Sequence, residues 1–214
     1  MSEIRIKSMV VGMVGTNCYL VYDEETKRGA VVDPGDGAEL VIDAAKNLGL
    51  HMEAIFLTHG HFDHMMAVDA LRDAWKVKVY ACEKEKEILC DSEKNLVSSY
   101  YGEAYSLAAD IYVKEGDEIE AAGFIWKVLE TPGHTIGSCC YYIEKEEVLF
   151  AGDTLFSGSY GRTDLPTGSG RQMIGSVTRL LRELPEETKV YPGHMDQTTI
   201  GWEKKNNPLA RFLA

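Results

Sequence analysis

Residues 58–64 read Thr-His-Gly-His-Phe-Asp-His, which sets His59, His61 and His64 beside Asp63 directly after an apolar run. Core packing asks for nothing like three imidazoles and a carboxylate in one short loop. Neutral imidazole with carboxylate is a ligand set for a borderline divalent ion, zinc first, with iron or manganese also suited. A loop at the carboxyl end of a strand can wrap such side chains around a cavity. An ion held there lowers the pKa of its water and polarises a substrate oxygen. Metal-ion chemistry is what this stretch points to.

A mononuclear catalytic site normally takes three protein ligands and a water, so four candidates in one loop, with more downstream, point to two ions. The downstream candidates recur in one context. His134 in Pro132-Gly133-His134-Thr135, Asp153 in Ala151-Gly152-Asp153-Thr154 and His194 in Pro192-Gly193-His194 each follow a short apolar run. Alone, His134 or His194 reads as an ordinary histidine and Asp153 as a turn residue; the repeated strand-end placement makes them candidate ligands. Of the six histidines only His51 lies outside this pattern, and it reads as surface.

The elements that must position these loops follow from periodicity. Residues 4–11, 18–22 and 30–32 read as strands separated by turn residues, and 38–48 as a helix stopped by Gly49. A strand at 53–57, a helix at 65–74 and a strand at 77–81 alternate as in an α/β protein. Residues 83–101 read as mainly helical and polar. A second strand-rich series follows at 112–113, 118–119, 124–129, 138–143 and 148–151, then a helix at 171–184, a strand at 189–191 and a helix at 198–205. The second half loosely repeats the order of the first without a residue-level repeat, which predicts one pseudo-symmetric domain over residues 1–214. Residues 157–170, rich in Gly, Ser and Thr, read as a long loop beside the site.

With 45% hydrophobic and 26% charged residues over 214 positions, the chain has the balance of a packed soluble protein. A formal charge of −12 and no basic cluster argue against nucleic acid as a partner and favour a small-molecule substrate. No stretch is long and apolar enough to span a membrane and the start lacks a signal-peptide pattern, so a cytoplasmic protein without a membrane partner is expected. The five cysteines, Cys18, Cys82, Cys90, Cys139 and Cys140, lack C-x-x-C spacing and are expected as reduced thiols. Adjacent residues of a strand face opposite ways, so Cys139 and Cys140 are expected to pack rather than to react with each other.

The H-x-H-x-D-H cluster, the two Pro-Gly-His runs and Gly152-Asp153 stand in an order that resembles the metallo-β-lactamase superfamily over nearly the whole chain. Thr16-Asn17-Cys18-Tyr19-Leu20, the Val31 to Gly35 strand end and the Gly161 to Asp164 loop (Gly-Arg-Thr-Asp) are similar to the short glyoxalase II-like branch. The resemblance implies a four-layer αβ/βα sandwich of two mixed sheets with the metal site along one edge. It implies that His59, His61 and His134 bind a first ion, that Asp63, His64 and His194 bind a second, and that Asp153 bridges them. The implied reaction is hydrolysis of a small thioester, S-D-lactoylglutathione or another acyl thiol, by a hydroxide held between the ions and oriented by Asp63. Longer glyoxalase II enzymes carry a helical carboxyl-terminal domain that helps bind glutathione, so the thiol carrier stays open here.

Ser159, Tyr160 and Arg162 in the long loop are candidate substrate contacts; Arg162 could hold a carboxylate or pair with Asp164. Where many relatives have two small residues, usually glycines, after the Asp-His pair, this chain has Met65-Met66, expected to begin a helix and pack into the core, the alternative being that one of them narrows the pocket. The alternatives are a persulfide dioxygenase-like enzyme with a single iron on the first histidine set, and a noncatalytic metal-binding module on the same fold.

Overall fold

The computed structural model describes residues 3–213. Its first half runs through β1 (Ile4–Val11), β2 (Thr16–Asp23), β3 (Arg28–Val32), α1 (Ala38–Asn47), β4 (His51–Phe56), α2 (Phe62–Met65), α3 (Val68–Trp75), β5 (Lys78–Cys82), α4 (Lys86–Leu89), α5 (Val97–Tyr101) and β6 (Ile111–Val113). The second half runs through β7 (Glu118–Ala121), β8 (Phe124–Glu130), β9 (Cys139–Ile143), β10 (Val148–Gly152), β11 (Leu155–Phe156), β12 (Ser159–Tyr160), α6 (Gly170–Glu183), β13 (Lys189–Pro192), β14 (Thr198–Thr199) and α7 (Ile200–Asn206).

Each half builds a mixed six-stranded sheet, ordered β1-β2-β3-β4-β5-β6 and β14-β13-β10-β9-β8-β7. Side-chain alternation along the strands sorts the interior into three layers. Tyr19, Val21, Ala54 and Phe56 face Trp126, Val128, Tyr141 and Phe150 between the sheets. Leu20, Val31 and Ile55, on the opposite pleat, pack under Val41 of α1 and Leu71 of α3. Cys140, Leu149 and Val190 pack under Met173, Val177 and Leu181 of α6. The result is the expected α/β sandwich of helix, sheet, sheet and helix layers. Both faces of the central strands are covered, so β2 is buried along its whole length despite carrying Thr16, Asn17 and Asp23.

Strand direction gathers the site. β3 and β4 run parallel in one sheet and β10 and β13 in the other. β8 is two antiparallel steps from β10 and so shares its direction. The carboxyl ends of these strands meet at one edge of the sandwich, where the amide of Cys139 donates to the Thr58 carbonyl at 2.9 Å and that of Asn17 to the Gly193 carbonyl at 2.8 Å. The crevice beyond strand carboxyl ends is where α/β folds place their ligands.

The sequence reading departs from the structure in four stretches. The helix expected at 65–74 is two pieces, because α2 is anchored when Ala67 N donates to Pro34 O at 3.0 Å and the chain restarts as α3. Residues 83–101 are short turns of helix around buried polar anchors, Glu85 and Asn95, not one polar helix. The loop at 157–170 contains one strand of the β11–β12 hairpin. Thr198–Thr199 extends the second sheet before α7 begins. Cys139 and Cys140 do face opposite layers, and Met65 is fully buried with Met66 packed against the same core.

Candidate metal centre

All seven candidate ligands come together at the shared edge. Ligand atoms of His59, His61 and His134 lie within 4.8 Å of one another, as do those of Asp63, His64 and His194, and those of His59, His64 and Asp153. His61 Nδ1 and His134 Nε2 converge to 2.9 Å. Asp153 stands between the sets: Oδ1 is 3.5 Å from His64 Nε2, and Oδ2 is 3.5 Å from His134 Nε2 and 3.6 Å from His194 Nε2. Asp63 Oδ2 lies 3.2 Å from His194 Nε2 and 3.4 Å from His64 Nε2.

The surrounding chain turns lone pairs into this space. Thr58 Oγ1 donates to Asp33 Oδ2 at 2.6 Å, so it can only accept from His59 Nδ1, 3.2 Å away, which leaves His59 Nε2 deprotonated toward the centre. His134 Nδ1 donates to the Arg162 carbonyl at 2.8 Å, which turns its Nε2 toward the centre. His64 Nδ1 lies 3.0 Å from Asp33 Oδ2. Orientation of ligating imidazoles by a carboxylate or carbonyl on the far nitrogen is the usual support of a metal site.

His59 Nε2, His61 Nε2, both ring nitrogens of His64 and Asp153 Oδ1 are among the described buried polar atoms without a hydrogen-bond partner. Orphaned polar atoms of this kind are rare in a folded interior, and divalent ions would satisfy those that face the centre. The charges agree. Burial and the neighbouring imidazoles hold His59 and His61 well below the ordinary histidine pKa, so both are neutral donors. Burial opposes a charge on His64, yet Asp63, Asp33 and Asp153 push its pKa well up. Burial likewise opposes ionisation of Asp63, and His64 and His194 hold it well below the carboxylate range. This clustered negative field suits cations.

Several positioning residues were not among the sequence candidates. Thr16 Oγ1 donates to Asp63 Oδ2 at 2.7 Å. Asn17 Nδ2 holds the Pro192 and Met195 carbonyls at 3.0 and 2.9 Å, and Tyr19 OH donates to Pro192 O at 2.6 Å, so the opening motif clamps the loop that carries His194. Asp33 takes the Thr58 amide at 2.8 Å and adopts a left-handed φ of 50°, a conformation that costs about 1–3 kcal/mol and persists where surroundings enforce it. Glu85, fully buried, accepts from Gly60 N at 2.8 Å, from Gly137 N at 2.9 Å and from Thr135 Oγ1, joining the His59–His61 turn to the turn after His134. Asp33, like the candidate ligands, follows an apolar strand and was open to the same reading; Glu85 carries no such signal.

A cavity of about 400 Å³ opens onto the centre and is lined by Ser159, Tyr160 and Arg162 as well as by His61, Asp63 and Asp153. The Arg162 guanidinium forms two bonds to Asp164, at 2.7 and 2.8 Å. His51 is exposed at the start of β4, away from the centre. No helix among the described residues is long and apolar enough to cross a membrane.

Residues 11–194 match the family model described as the Metallo-beta-lactamase superfamily. The hydroxyacylglutathione hydrolase GloC of Haemophilus influenzae is 34% identical over 90% of this chain and 92% of its own length. The crystal structure of BLEG-1, a B3 metallo-beta-lactamase, superposes with a TM-score of 0.90 at 40% identity, covering 98% of this chain and all of that one. TTHA1623, crystallised in a di-iron-bound form, superposes at 0.82 with 34% identity, covering 94% and 98% of the two chains. Divalent metal binding follows from the fold and from the converging His and Asp groups, and the chain belongs to the metallo-beta-lactamase superfamily.

Proposed function

We propose that this chain, as one domain over residues 1–214, is a metal-dependent thioester hydrolase of the glyoxalase II-like kind. Its substrate is S-D-lactoylglutathione or another small acyl thiol. His59, His61 and His134 would hold one divalent ion and Asp63, His64 and His194 the other, with Asp153 serving both, zinc being the first choice and iron or manganese the others. The observation that carries this reading is the division of Asp153, one oxygen facing His64 and the other facing His134 and His194. The likeness to GloC supports the thioester, and the di-iron form of TTHA1623 supports two positions.

When bound, two such ions make water nucleophilic near neutral pH and stabilise oxyanion charge. The chain's own residues do the rest. Asp63, its Oδ2 fixed by Thr16, orients the attacking water. The far nitrogens of His59 and His134 face Thr58 Oγ1 and the Arg162 carbonyl, which orients each ring with its other nitrogen toward the centre. A departing thiolate needs little help from an acid, since a thiol ionises near pH 8.5.

The test is metal content per chain of gently purified protein, measured with S-D-lactoylglutathione hydrolysis in air and under anaerobic conditions. Two ions with oxygen-independent cleavage support the reading. A single iron, no hydrolysis and oxygen uptake with a persulfide would replace it with the dioxygenase alternative. A complete centre inert to lactam, ester, phosphodiester and persulfide substrates would leave a binding module.

A further inference from the structure

Exposed large apolar side chains crowd the mouth of the cavity beside the metal centre. Val14 is 41%, Tyr100 49%, Tyr160 37% and Met195 59% exposed, and all four line it. Leu96, Phe156 and Leu165 line it further. They come from widely separated parts of the chain: the β1–β2 turn, the α5 region, the β11–β12 hairpin with its following loop, and the residue after His194. Phe62 and Tyr100 stack with ring centroids 4.2 Å apart, forming one aromatic wall. Contiguous exposed apolar surface on a soluble chain marks a place where an apolar partner is received.

Outside the metal centre, charged side chains are scarce in the same cavity. Arg162 is its only cation among the described lining residues, and Asp164 already neutralises it with two bonds. The acidic residues of the lining, Asp63 and Asp153, belong to the metal centre. With a whole-chain charge of −12, nothing here rewards a carrier bearing several carboxylates.

Resting on the thioester reading above, we propose that the substrate's acyl group is a medium-length apolar chain held by this cavity, and that the thiol carrier projects to solvent unrecognised by charge. Common thiol carriers are polar, so the apolar part of the substrate is the acyl chain. A volume of about 400 Å³ admits several methylenes beyond the carbonyl. The transfer free energy of a methylene makes each one that enters worth about three- to fourfold in kcat/KM.

The experiment uses the metal-loaded protein and acetyl, butanoyl, hexanoyl and octanoyl thioesters of the neutral thiol N-acetylcysteamine, with acetyl and octanoyl glutathione as charged counterparts. Binding of acetate and octanoate is measured by calorimetry on the same preparation. The expected result is kcat/KM rising about three- to fourfold per methylene up to hexanoyl or octanoyl, little change between carriers, and octanoate binding well above acetate. Replacing Leu165 with Ser should lower octanoyl turnover more than acetyl turnover. Turnover that is flat in chain length, or set by the glutathione carrier, overturns the proposal while leaving thioester hydrolysis standing. Octanoate binding without cleavage of any thioester overturns the hydrolase reading and leaves the apolar pocket; equal binding of the two acids overturns the pocket itself.

Discussion

Asp33 Oδ2 stands 3.0 Å from Nδ1 of His64, an ion-pair contact, while also accepting the Thr58 hydroxyl that faces His59, so one carboxylate outside the ligand set lies behind two imidazoles inside it. Replacing Asp33 with Ala should weaken metal binding by roughly 10–100-fold, the usual cost of removing such a support. Competition against a calibrated chelator reads this directly. Unchanged affinity would assign Asp33 to folding alone.

Asp153 offers a different loss. Asp153→Ala removes the oxygens facing both histidine sets, so elemental analysis should find fewer than two ions per chain and turnover should fall by at least about a hundredfold, which corresponds to ~2.7 kcal/mol of barrier. Full activity with one ion or none would end the dinuclear reading.

At Gly193 space decides. A Cβ there would sit 2.2 Å from Asp153 Oδ1 and 2.7 Å from His64 Cε1, well inside contact distance. Gly193→Ala must therefore displace two candidate ligands, and such overpacking costs about 1–3 kcal/mol of stability. Urea unfolding and metal analysis on the same sample should show both losses; a variant that keeps two ions and wild-type stability would mean that the edge yields freely.

The buried carboxyl of Glu85 predicts a pH effect. Burial pushes it from 4.5 up to about 7, against the lowering pull of its bonds from Thr135, Gly60 and Gly137. The folded state thus keeps a proton that the unfolded chain releases. Glu85's stabilising contribution is full below about pH 4.5 and is lost as pH rises through about 7. Across that window the stability difference between wild type and Glu85→Gln should decline, by up to about 1.4 kcal/mol per pH unit. Urea midpoints of both proteins in metal-free buffer at intervals from pH 4.5 to 8 measure it, and a difference that does not change with pH contradicts it.

What the sequence disclosed was governed by periodicity and residue type. The apolar runs at 18–22 and 30–32 foretell strands, and the Pro-Gly-His runs foretell loops at strand ends. Side chains that act through contacts made far along the chain were invisible: Asn17 meets Pro192 and Met195, and Tyr19 meets Pro192, only because the sheets stack. Glu85 sits in a charged stretch, Glu83 to Glu87, that alternates with lysine and reads as a solvated helix face. Its burial follows from the backbone amides of Gly60 and Gly137 that need an acceptor, and tertiary demand of this kind leaves no local pattern. The break between α2 and α3 escaped for the same reason, since Pro34 supplies the distant carbonyl that ends the first turn.

The convergence of strand ends from both sheets bears on how the protein matures. A nascent chain displays His59, His61, Asp63 and His64 long before His134, Asp153 and His194 have been synthesised. The early four belong to different groups: His61 needs His134, and Asp63 with His64 needs His194. On this arrangement a growing polypeptide would hold an ion with an incomplete ligand set until the second sheet docks. Metal retention would thereby register completed assembly, and chains arrested before His134 should hold an ion no more tightly than the isolated loop at 58–64.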